Sequence, residues 1–590
     1  MRLLKDNSLF YLARLVYICF TVVYMAARMV APLNFLIESV WVSLSVFLFG
    51  FLIVVYDLFT EQRCLKSKGI DFLGLFVVVC IISSVVNLKY GVGGNIKAVG
   101  ALILQFFLFY SVGVGASAEQ KKKELRAAMA TLCVVWGAFV FFSLQMYFFD
   151  IEYILSGGSW GKVSHGFSAE YQRLWGVFTD PNYASFISVI SIFASIYLMV
   201  ETKRIATYVL GTISALLQLS YLVLAASRAA TILFCAASFF VLLYWFVISA
   251  SKAKERLAGF GLSVLISAAI VCVIVSIQYA LPFCKLTINK IDSSISNSVT
   301  TLYNSVYEIT GVEVLEIPQK PSDTLQNPDT DVDSTNSVDS ASKDEVSSGA
   351  SSNEISSESV SSEVTSSESV SSDATSSESV SSEATSSESV SSDATSSEPV
   401  SSESVSSEIV GNAGNDSFSP INRTDTDKED ISNGRFKRWI QTVDIFKKAP
   451  ILGTSPRNVS AFAKDHAPES LMALYGIAPH NGYLDVLVGT GIVGTLIMVA
   501  YLIMCVVIVL KKCFTKFRDP ILAVSAASVF ALAGSAMVLS DIFMFFTFGS
   551  VMFFMMMGYA VNDENDEQGR SVLYTVFCKV FQFFKKLGKN

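Results

Sequence analysis

Four arginines and one histidine are the residues of this 590-residue sequence best suited to chemistry: Arg173, Arg228, Arg435, Arg438 and His480. A guanidinium group presents a fork of N–H donors that matches anionic oxygens. An imidazole titrates near neutral pH and accepts a proton from a hydroxyl group within its reach. If these residues meet in the fold, they predict a site that binds an anionic substrate beside a general base.

The two arginines nearest the N-terminus also have structural explanations. The segment Asp180-Pro181-Asn182 is typical of a helix start, with Asp180 or Asn182 as the cap. Arg173 would then contact lipid headgroups. Arg228 follows Ser227 between two apolar runs, so it either reaches a phospholipid phosphate or holds an anionic substrate.

His480 lies where the chain enters another apolar run, followed by Asn481. A histidine in a loop is more often a surface residue than a catalyst, and only its position among the arginines favours catalysis. Asn481 could orient the imidazole. Asp485 could do the same, although a carboxylate at that position is more typical of a helix start.

Composition indicates a membrane protein. Apolar residues make up 52% of the chain, charged residues only 16%, and the mean hydropathy is +0.51. A soluble domain carries about 25% charged residues, so a soluble multidomain enzyme is excluded. The ten cysteines form no Cys-X-X-Cys motif and no cluster with histidine, so neither a disulfide framework nor a metal site is predicted.

Apolar segments predict an all-α polytopic membrane protein with about 12 transmembrane helices, because one span needs about 20 apolar residues. Lysine and arginine concentrate in every second loop, which predicts that both termini are cytoplasmic and that the candidate residues lie in outward-facing loops. The segments are 9–30, 39–59, 72–88, 96–114, 127–149, 184–200, 205–226, 229–250, 258–281, 484–510, 520–540 and 541–560.

A large outward loop, from Pro282 to Tyr483, contains an acidic insert. Residues 318–431 hold 24 acidic and 4 basic residues, which leaves 39 basic and 27 acidic residues in the rest of the chain. A ten-residue repeat begins at Ser356 as SSESVSSEVT and recurs from Ser366, Ser376 and Ser386. So little apolar surface predicts a disordered spacer, and the serine density also permits a glycosylated stalk.

Helical spacing of apolar residues predicts two amphipathic helices at the membrane surface, over 434–450 and 572–589. The predicted organisation is membrane helices 1–9 over 1–281, the start of the large loop over 282–317, the disordered repeat over 318–431, an ordered loop with the candidate motifs over 432–483, membrane helices 10–12 over 484–560, and a cytoplasmic tail over 561–590.

Five motifs, taken in order, resemble the O-antigen ligase / O-antigen polymerase family of polytopic membrane glycosyltransferases. They are RLWGVFTDPN (173–182), Ser227-Arg228, GRFKRW (434–439), PILG (450–453) and HNGYLDVLVGTGIVG (480–494). The resemblance covers most of the hydrophobic body and leaves out the Ser/acidic tract. Gly453-Thr454-Ser455 replaces the usual Gly-X-Gly after the Pro-Leu pattern.

The resemblance implies transfer or polymerisation of glycan units linked to a polyprenyl pyrophosphate, at the outer face of a bacterial cytoplasmic membrane and without metal or cofactor. It implies His480 as the general base on the acceptor. The substrate-binding residues would be Arg173, Asn182, Arg228, Arg435, Arg438 and Asn481. The partners would be the lipid-linked donor, membrane lipids and an acceptor that is a glycan, a lipid or a protein, without nucleic acid.

Two other functions remain open from the sequence. A flippase or transporter of lipid-linked glycans would suit twelve spans, although the ionisable residues collect on one side and no inverted repeat is visible. A cell-surface anchor would use the Ser-rich loop as a spacer. Polymerase and ligase, the sugar, the acceptor and the oligomeric state are not distinguished by these motifs.

Overall fold

The computed structural model describes residues 8–37, 39–156, 162–168, 171–289, 293–316, 434–540, 542–563 and 571–587. All statements below concern these residues. The predicted Ser/acidic spacer over 318–431 lies outside them, so its disorder stays a prediction.

Eight helices are long and apolar enough to cross a membrane, which confirms a mostly helical, multi-pass architecture. Each coincides with one of the twelve predicted segments. They are α1 (Ser8–Arg28), α3 (Val40–Thr60), α7 (Ala118–Phe148), α8 (Pro181–Thr202), α9 (Ile205–Leu224), α10 (Arg228–Leu242, continued by a π-helix over Leu243–Ile248), α11 (Ala253–Asn289) and α16 (Gly482–Thr515).

The other four predicted segments fall on shorter apolar helices of 10–17 residues. These are α5 (Ile70–Val86), α6 (Gly93–Leu104, continued by a π-helix over Gln105–Phe109), α17 (Pro520–Ser535) and α18 (Phe548–Val561). The remaining helices are α2 (Ala31–Ile37), α4 (Arg63–Lys66), α12 (Ser293–Thr310), α13 (Arg435–Lys448), α14 (Val459–His466), α15 (Leu471–Tyr475), α19 (Val572–Leu587) and a 3₁₀ turn over Leu88–Tyr90.

A small antiparallel sheet interrupts the helical pattern and was not predicted from the sequence. Its strands are β1 (Glu152–Ser156), β2 (Lys162–Ser168), β3 (Arg173–Gly176) and β4 (Val314–Glu316), in the order β3-β2-β1-β4. Strand β4 comes from the start of the large loop and joins the sheet formed by the earlier loop. The sheet matters for the site because Arg173 is the first residue of β3.

Both predicted amphipathic helices form, as α13 and α19.

Helix α11 continues through Pro282 to Asn289, beyond the predicted end of its segment at residue 281. A proline inside a long helix removes one backbone hydrogen bond and usually kinks the helix without ending it.

Helix α8 is enclosed by its neighbours and carries buried serines along its length, including Ser185, Ser188, Ser191 and Ser195. Small residues let membrane helices approach closely. The indole of Trp136 on α7 donates to Ser188 at 3.0 Å and stacks on Phe178 with ring centroids 4.6 Å apart. This packing fixes the start of α8, at Pro181, beside β3.

Lysines from three of the predicted basic loops meet at one end of the helices, here called the basic face. Lys516 and Lys512 contact Asp563 at 2.7 and 3.0 Å, and Lys68 reaches it at 3.5 Å. Lys121 donates to the carbonyl of Asn562 at 2.8 Å. Burial alone would raise the pKa of the Asp563 carboxyl, but Lys516 and Lys512 outweigh it and lower that pKa. Cations at the C-terminal end of α18 are also favoured by the helix dipole.

A buried ion pair connects α1 to α7. One guanidinium nitrogen of Arg14 donates to both carboxylate oxygens of Glu124 at 2.7 Å, and the two side chains are 3% and 5% exposed. The hydroxyl of Tyr559 on α18 donates to the same carboxylate at 3.3 Å. Three helices therefore meet at this pair, and the sequence did not reveal it because Glu124 lies within a lysine-rich stretch.

We expect Glu124→Gln to lower the stability of the protein by about 3–5 kcal/mol, because it leaves the buried Arg14 guanidinium without its counter-charge. Thermal unfolding of the detergent-purified protein measures the loss. Lys123→Gln is the matched control, since Lys123 pairs only with Glu119 on the exposed surface and such pairs contribute little. Equal melting temperatures for the two variants would contradict the assigned role of the pair.

Candidate functional site

Arg173 and Asn182 form one half of the candidate site. The guanidinium of Arg173 donates to the side-chain oxygen of Asn182 at 2.6 Å and to the carbonyl of Ala225 at 2.9 Å. It lies over the Trp175 ring, with its central carbon 5.6 Å from the ring centroid, and only 3% of Arg173 is exposed. The structure thus brings these two predicted residues together, with Arg173 tying the start of α8 to the end of α9.

Asp180 caps α8. Its side chain accepts hydrogen bonds from the backbone N–H groups of Asn182 and Tyr183 at 2.8 and 3.2 Å, and Pro181 occupies the first helical position. Of the two caps allowed by the sequence, Asp180 is the one used. The capped turn orients Asn182 toward Arg173.

Arg228 lies near this group and is exposed. It is the first residue of α10, three positions after Ala225, whose carbonyl accepts from Arg173. Three residues span at most about 11 Å. In the described part of the chain, the Arg228 side chain has no hydrogen-bond or ion-pair partner, so it does not join the other predicted residues directly.

His480 lies at a tight backbone turn just before α16, with φ of 54°. A non-glycine residue in this left-handed region costs on the order of 1 kcal/mol, and such residues cluster at functional sites. The residues that follow α17 hold this turn in place, because the N–H of Gly482 donates to the carbonyls of Ala536 and Leu539 at 2.7 and 2.9 Å. Asn481 caps α16 by accepting from Tyr483 and Leu484 at 3.0 and 3.1 Å.

Three charged residues act electrostatically on the imidazole of His480. Burial lowers the pKa of the half-buried imidazole, and the guanidinium groups of Arg438 and Arg435 lower it further. The carboxylate of Asp180 acts in the opposite direction. Burial and the two arginines therefore favour the neutral form of His480, within electrostatic reach of α13 and of the start of α8.

Helix α13 presents its two arginines three residues apart, which places them on one face. Buried Thr442 and Ile445 each lie seven residues after one of these arginines, so the side of α13 that carries the arginines is also the side that packs against the protein. The Nε of Arg438 and the indole N–H of Trp439 are buried and have no hydrogen-bond partner among the described residues. Buried donors usually have a partner, so this pair suits a ligand with acceptor oxygens.

The Pro450–Ser455 turn explains two of the sequence motifs structurally. Helix α16 breaks at Gly491, with φ 64° and ψ −167°. The carbonyls of Pro450 and Ile451 accept from Ile492 and Val493 at 2.8 and 3.3 Å, and Thr454 donates its N–H to Val488 at 2.8 Å. The PILG and GTGIVG segments are therefore each other's packing partners.

Asp180 is the residue that the sequence interpretation did not assign to the site. The sequence predicts Asp180 only as a helix cap and offers Asp485 for orienting the imidazole. The structure instead identifies Asp180 as the acidic residue whose charge acts on His480. The Asp-Pro pair predicts the cap but gives no sign of an electrostatic effect across about 300 residues of sequence.

The seven predicted residues thus form two groups. Arg173 and Asn182 bond to each other, with Arg228 nearby in sequence; Arg435 and Arg438 act on His480, which precedes Asn481. Asp180 belongs to both groups, through its cap of α8 and its charge on His480.

Within the described residues, no cluster of three or more His, Cys, Asp or Glu side chains could hold a metal ion, and metal independence stays a prediction.

One comparison with known proteins finds a family model that matches part of the chain. A family model described as O-antigen ligase matches residues 400–499. The match confirms the family resemblance seen in the motifs, and it spans Arg435, Arg438, His480 and Asn481 together with α13, α14, α15 and the first turns of α16. No curated protein matches the chain.

We expect Gly491→Ala to destabilise the protein by about 2–4 kcal/mol. An added Cβ would lie 2.3 Å from the carbonyl oxygen of Ile451, at a φ that alanine rarely adopts. Thermal unfolding measures the loss, and proteolysis between 450 and 455 reports release of the turn. Gly261→Ala on α11 is the control, because its Cβ would meet open space; similar behaviour of the two variants would contradict the packing assigned to Gly491.

Proposed function

We propose that this chain, whose residues 400–499 match the O-antigen ligase family, transfers or polymerises glycan units in bacterial membrane polysaccharide assembly. The donor is a glycan linked to a polyprenyl pyrophosphate, and the product belongs to a capsule, an O-antigen-like chain or a wall polysaccharide. The observation that carries the proposal is the position of His480 in the matched segment, where burial and the charges of Arg438 and Arg435 lower the pKa of its imidazole.

A neutral imidazole beside arginines suits proton removal during glycosyl transfer. The acceptor hydroxyl oxygen attacks the anomeric carbon, its proton passes to His480, and the bond from the anomeric carbon to the pyrophosphate oxygen breaks with its electron pair on that oxygen. The same arginines that keep His480 neutral would stabilise the charge that develops on the departing pyrophosphate. One arrangement of charges thus serves both ends of the reaction.

The four arginines have different roles in this proposal. Arg435 and Arg438 contact the pyrophosphate beside His480, and the partnerless Nε of Arg438 with the Trp439 N–H supplies donors for its oxygens. Exposed Arg228 binds the same group from the other side. Arg173 is held by Asn182 and Ala225, so it positions the start of α8 and adds positive charge. Asn481 shapes the turn that presents His480.

The membrane arrangement proposed with this function has twelve spans, both termini in the cytoplasm and the candidate site at the outer face. The eight long and four short apolar helices coincide with the twelve predicted segments. The lysines of the basic face gather at the end of α16 that is remote from His480, as expected if that end is cytoplasmic. No metal or cofactor takes part.

We expect His480→Ala to reduce glycan transfer by about 10²–10⁴-fold, the contribution of a general base. The assay incubates purified protein with a synthetic polyprenyl-pyrophosphate-linked repeat unit, with and without added acceptor, and follows product length on a gel. His466→Ala is the control, because His466 bonds to Tyr90 at 3.0 Å and lies elsewhere in the same loop. Full activity of His480→Ala, or an effect on transbilayer movement of the lipid alone, would favour a flippase.

We expect Arg438→Gln to shift the acidic limb of the transfer rate to higher pH. Transfer needs neutral His480, so the rate falls as pH drops below the pKa of this residue. Removing the Arg438 charge raises that pKa toward 6.5, so protonation begins at higher pH. Lys437→Gln removes a neighbouring exposed charge as a control, and an acidic limb that moves equally in both variants would contradict the proposed contact.

A further inference from the structure

Two adjoining cavities lie far from the candidate site, at the basic face. The first, of about 210 Å³, is a groove between α8, α10 and α17, lined by Phe193, Tyr197, Trp245 and Ala523 among other apolar residues. The second, of about 390 Å³, lies beside it and includes Ser249, Ser251, Glu255 and Arg518. Phe246 lines both cavities, so one molecule could occupy the two.

The groove has the depth and chemistry of a site for an acyl chain. From Phe193 to the end of α8 at Thr202 the helix rises about 14 Å, so the groove runs well into the span. Its walls are apolar except for the hydroxyl of Tyr197, a 2% exposed residue whose oxygen has no hydrogen-bond partner in the described part of the chain. A lipid ester could supply that partner.

A π-helical turn builds the junction between the cavities. The π-helix over Leu243–Ile248 carries Trp245 and Phe246, and such turns widen a helix and occur often at functional sites. Tyr244 on the same turn donates its hydroxyl to the carbonyl of Lys516 and accepts from the N–H of Asp519 at 3.0 Å. The two bonds bracket Arg518 and hold it over the second cavity.

Arg518 gives the second cavity its charge. The Arg518 side chain is exposed and makes no hydrogen bond or ion pair with any described residue, and its backbone has φ of 54°. The carboxylate of Glu255 pairs with Lys252 at 3.6 Å, which leaves the guanidinium of Arg518 as the unbalanced charge. An amphiphile with one anionic headgroup and an acyl chain complements this arrangement.

We propose that the two cavities form a binding site for an anionic phospholipid of the leaflet at the basic face, with an acyl chain in the groove and the phosphate on Arg518. The site is separate from the glycan site, because α16 spans 34 residues between them, about 50 Å along the helix. It is also independent of the proposed transfer reaction. Arg518 and the π-helical turn would select the headgroup, while the groove accepts any acyl chain of the membrane.

The test uses quenching of Trp245 fluorescence by brominated lipid. Delipidated full-length protein in detergent is titrated with dibromostearoyl phosphatidylglycerol or with the matching phosphatidylcholine. The difference in fluorescence between the unchanged protein and Trp245→Phe gives the signal of Trp245. We expect phosphatidylglycerol to quench Trp245 at a mole fraction about tenfold lower than phosphatidylcholine does, because one charge-assisted hydrogen bond strengthens binding by about that factor. Equal quenching by both lipids would overturn the proposal.

Arg518→Gln should remove the preference, so that both lipids quench Trp245 alike. Lys511→Gln is the matched control, since this exposed lysine lies near the same end of α16 but lines neither cavity. Ala523→Phe should fill the groove and abolish quenching by either lipid, with exposed Ala206→Phe as its control. A preference that survives in Arg518→Gln would overturn the headgroup assignment even if Ala523→Phe does not fold.

Discussion

The break in α16 at Gly491 is the constraint on which the geometry of the candidate site depends. Within a membrane every backbone N–H needs a partner, and the break removes the helical partners of the residues that follow it. The carbonyls of Pro450 and Ile451 take their place, at 2.8 Å to Ile492 and 3.3 Å to Val493. The segment that follows α13 is thereby fastened to α16, the helix that begins just after His480, so the arginines of α13 keep a fixed position relative to the imidazole.

The site is assembled from two separately fastened parts. In one, buried Arg173 ties the start of α8 to the end of α9; in the other, the Gly491 break fixes the helix that carries Arg435 and Arg438. The two arginines of α13 and the carboxylate of Asp180 leave a net positive charge acting on His480. Focused positive potential of this kind attracts anionic substrates and keeps a nearby imidazole neutral.

The sequence predicts elements well and contacts poorly in this chain. Each of the twelve apolar runs in the sequence overlaps a helix of the described residues, and periodicity located α13 and α19. Both signals are local. The sheet was missed because its strands are short and β4 pairs with β1 across about 160 residues of sequence. The charge effect of Asp180 on His480 and the Arg14–Glu124 pair were missed for the same reason. Local patterns predict a helix cap or a basic loop, while the partner is fixed only by tertiary packing.

The Arg14–Glu124 pair also has a consequence for how the chain enters the bilayer. The ribosome adds 110 residues between the two partners, which takes on the order of 10 s. During that interval the guanidinium in the first span lacks its carboxylate and is accommodated by reaching toward the headgroups. Glu124 directly precedes the fifth predicted span, over 127–149, so the buried pair can form only after more than a hundred further residues have been added to the first span.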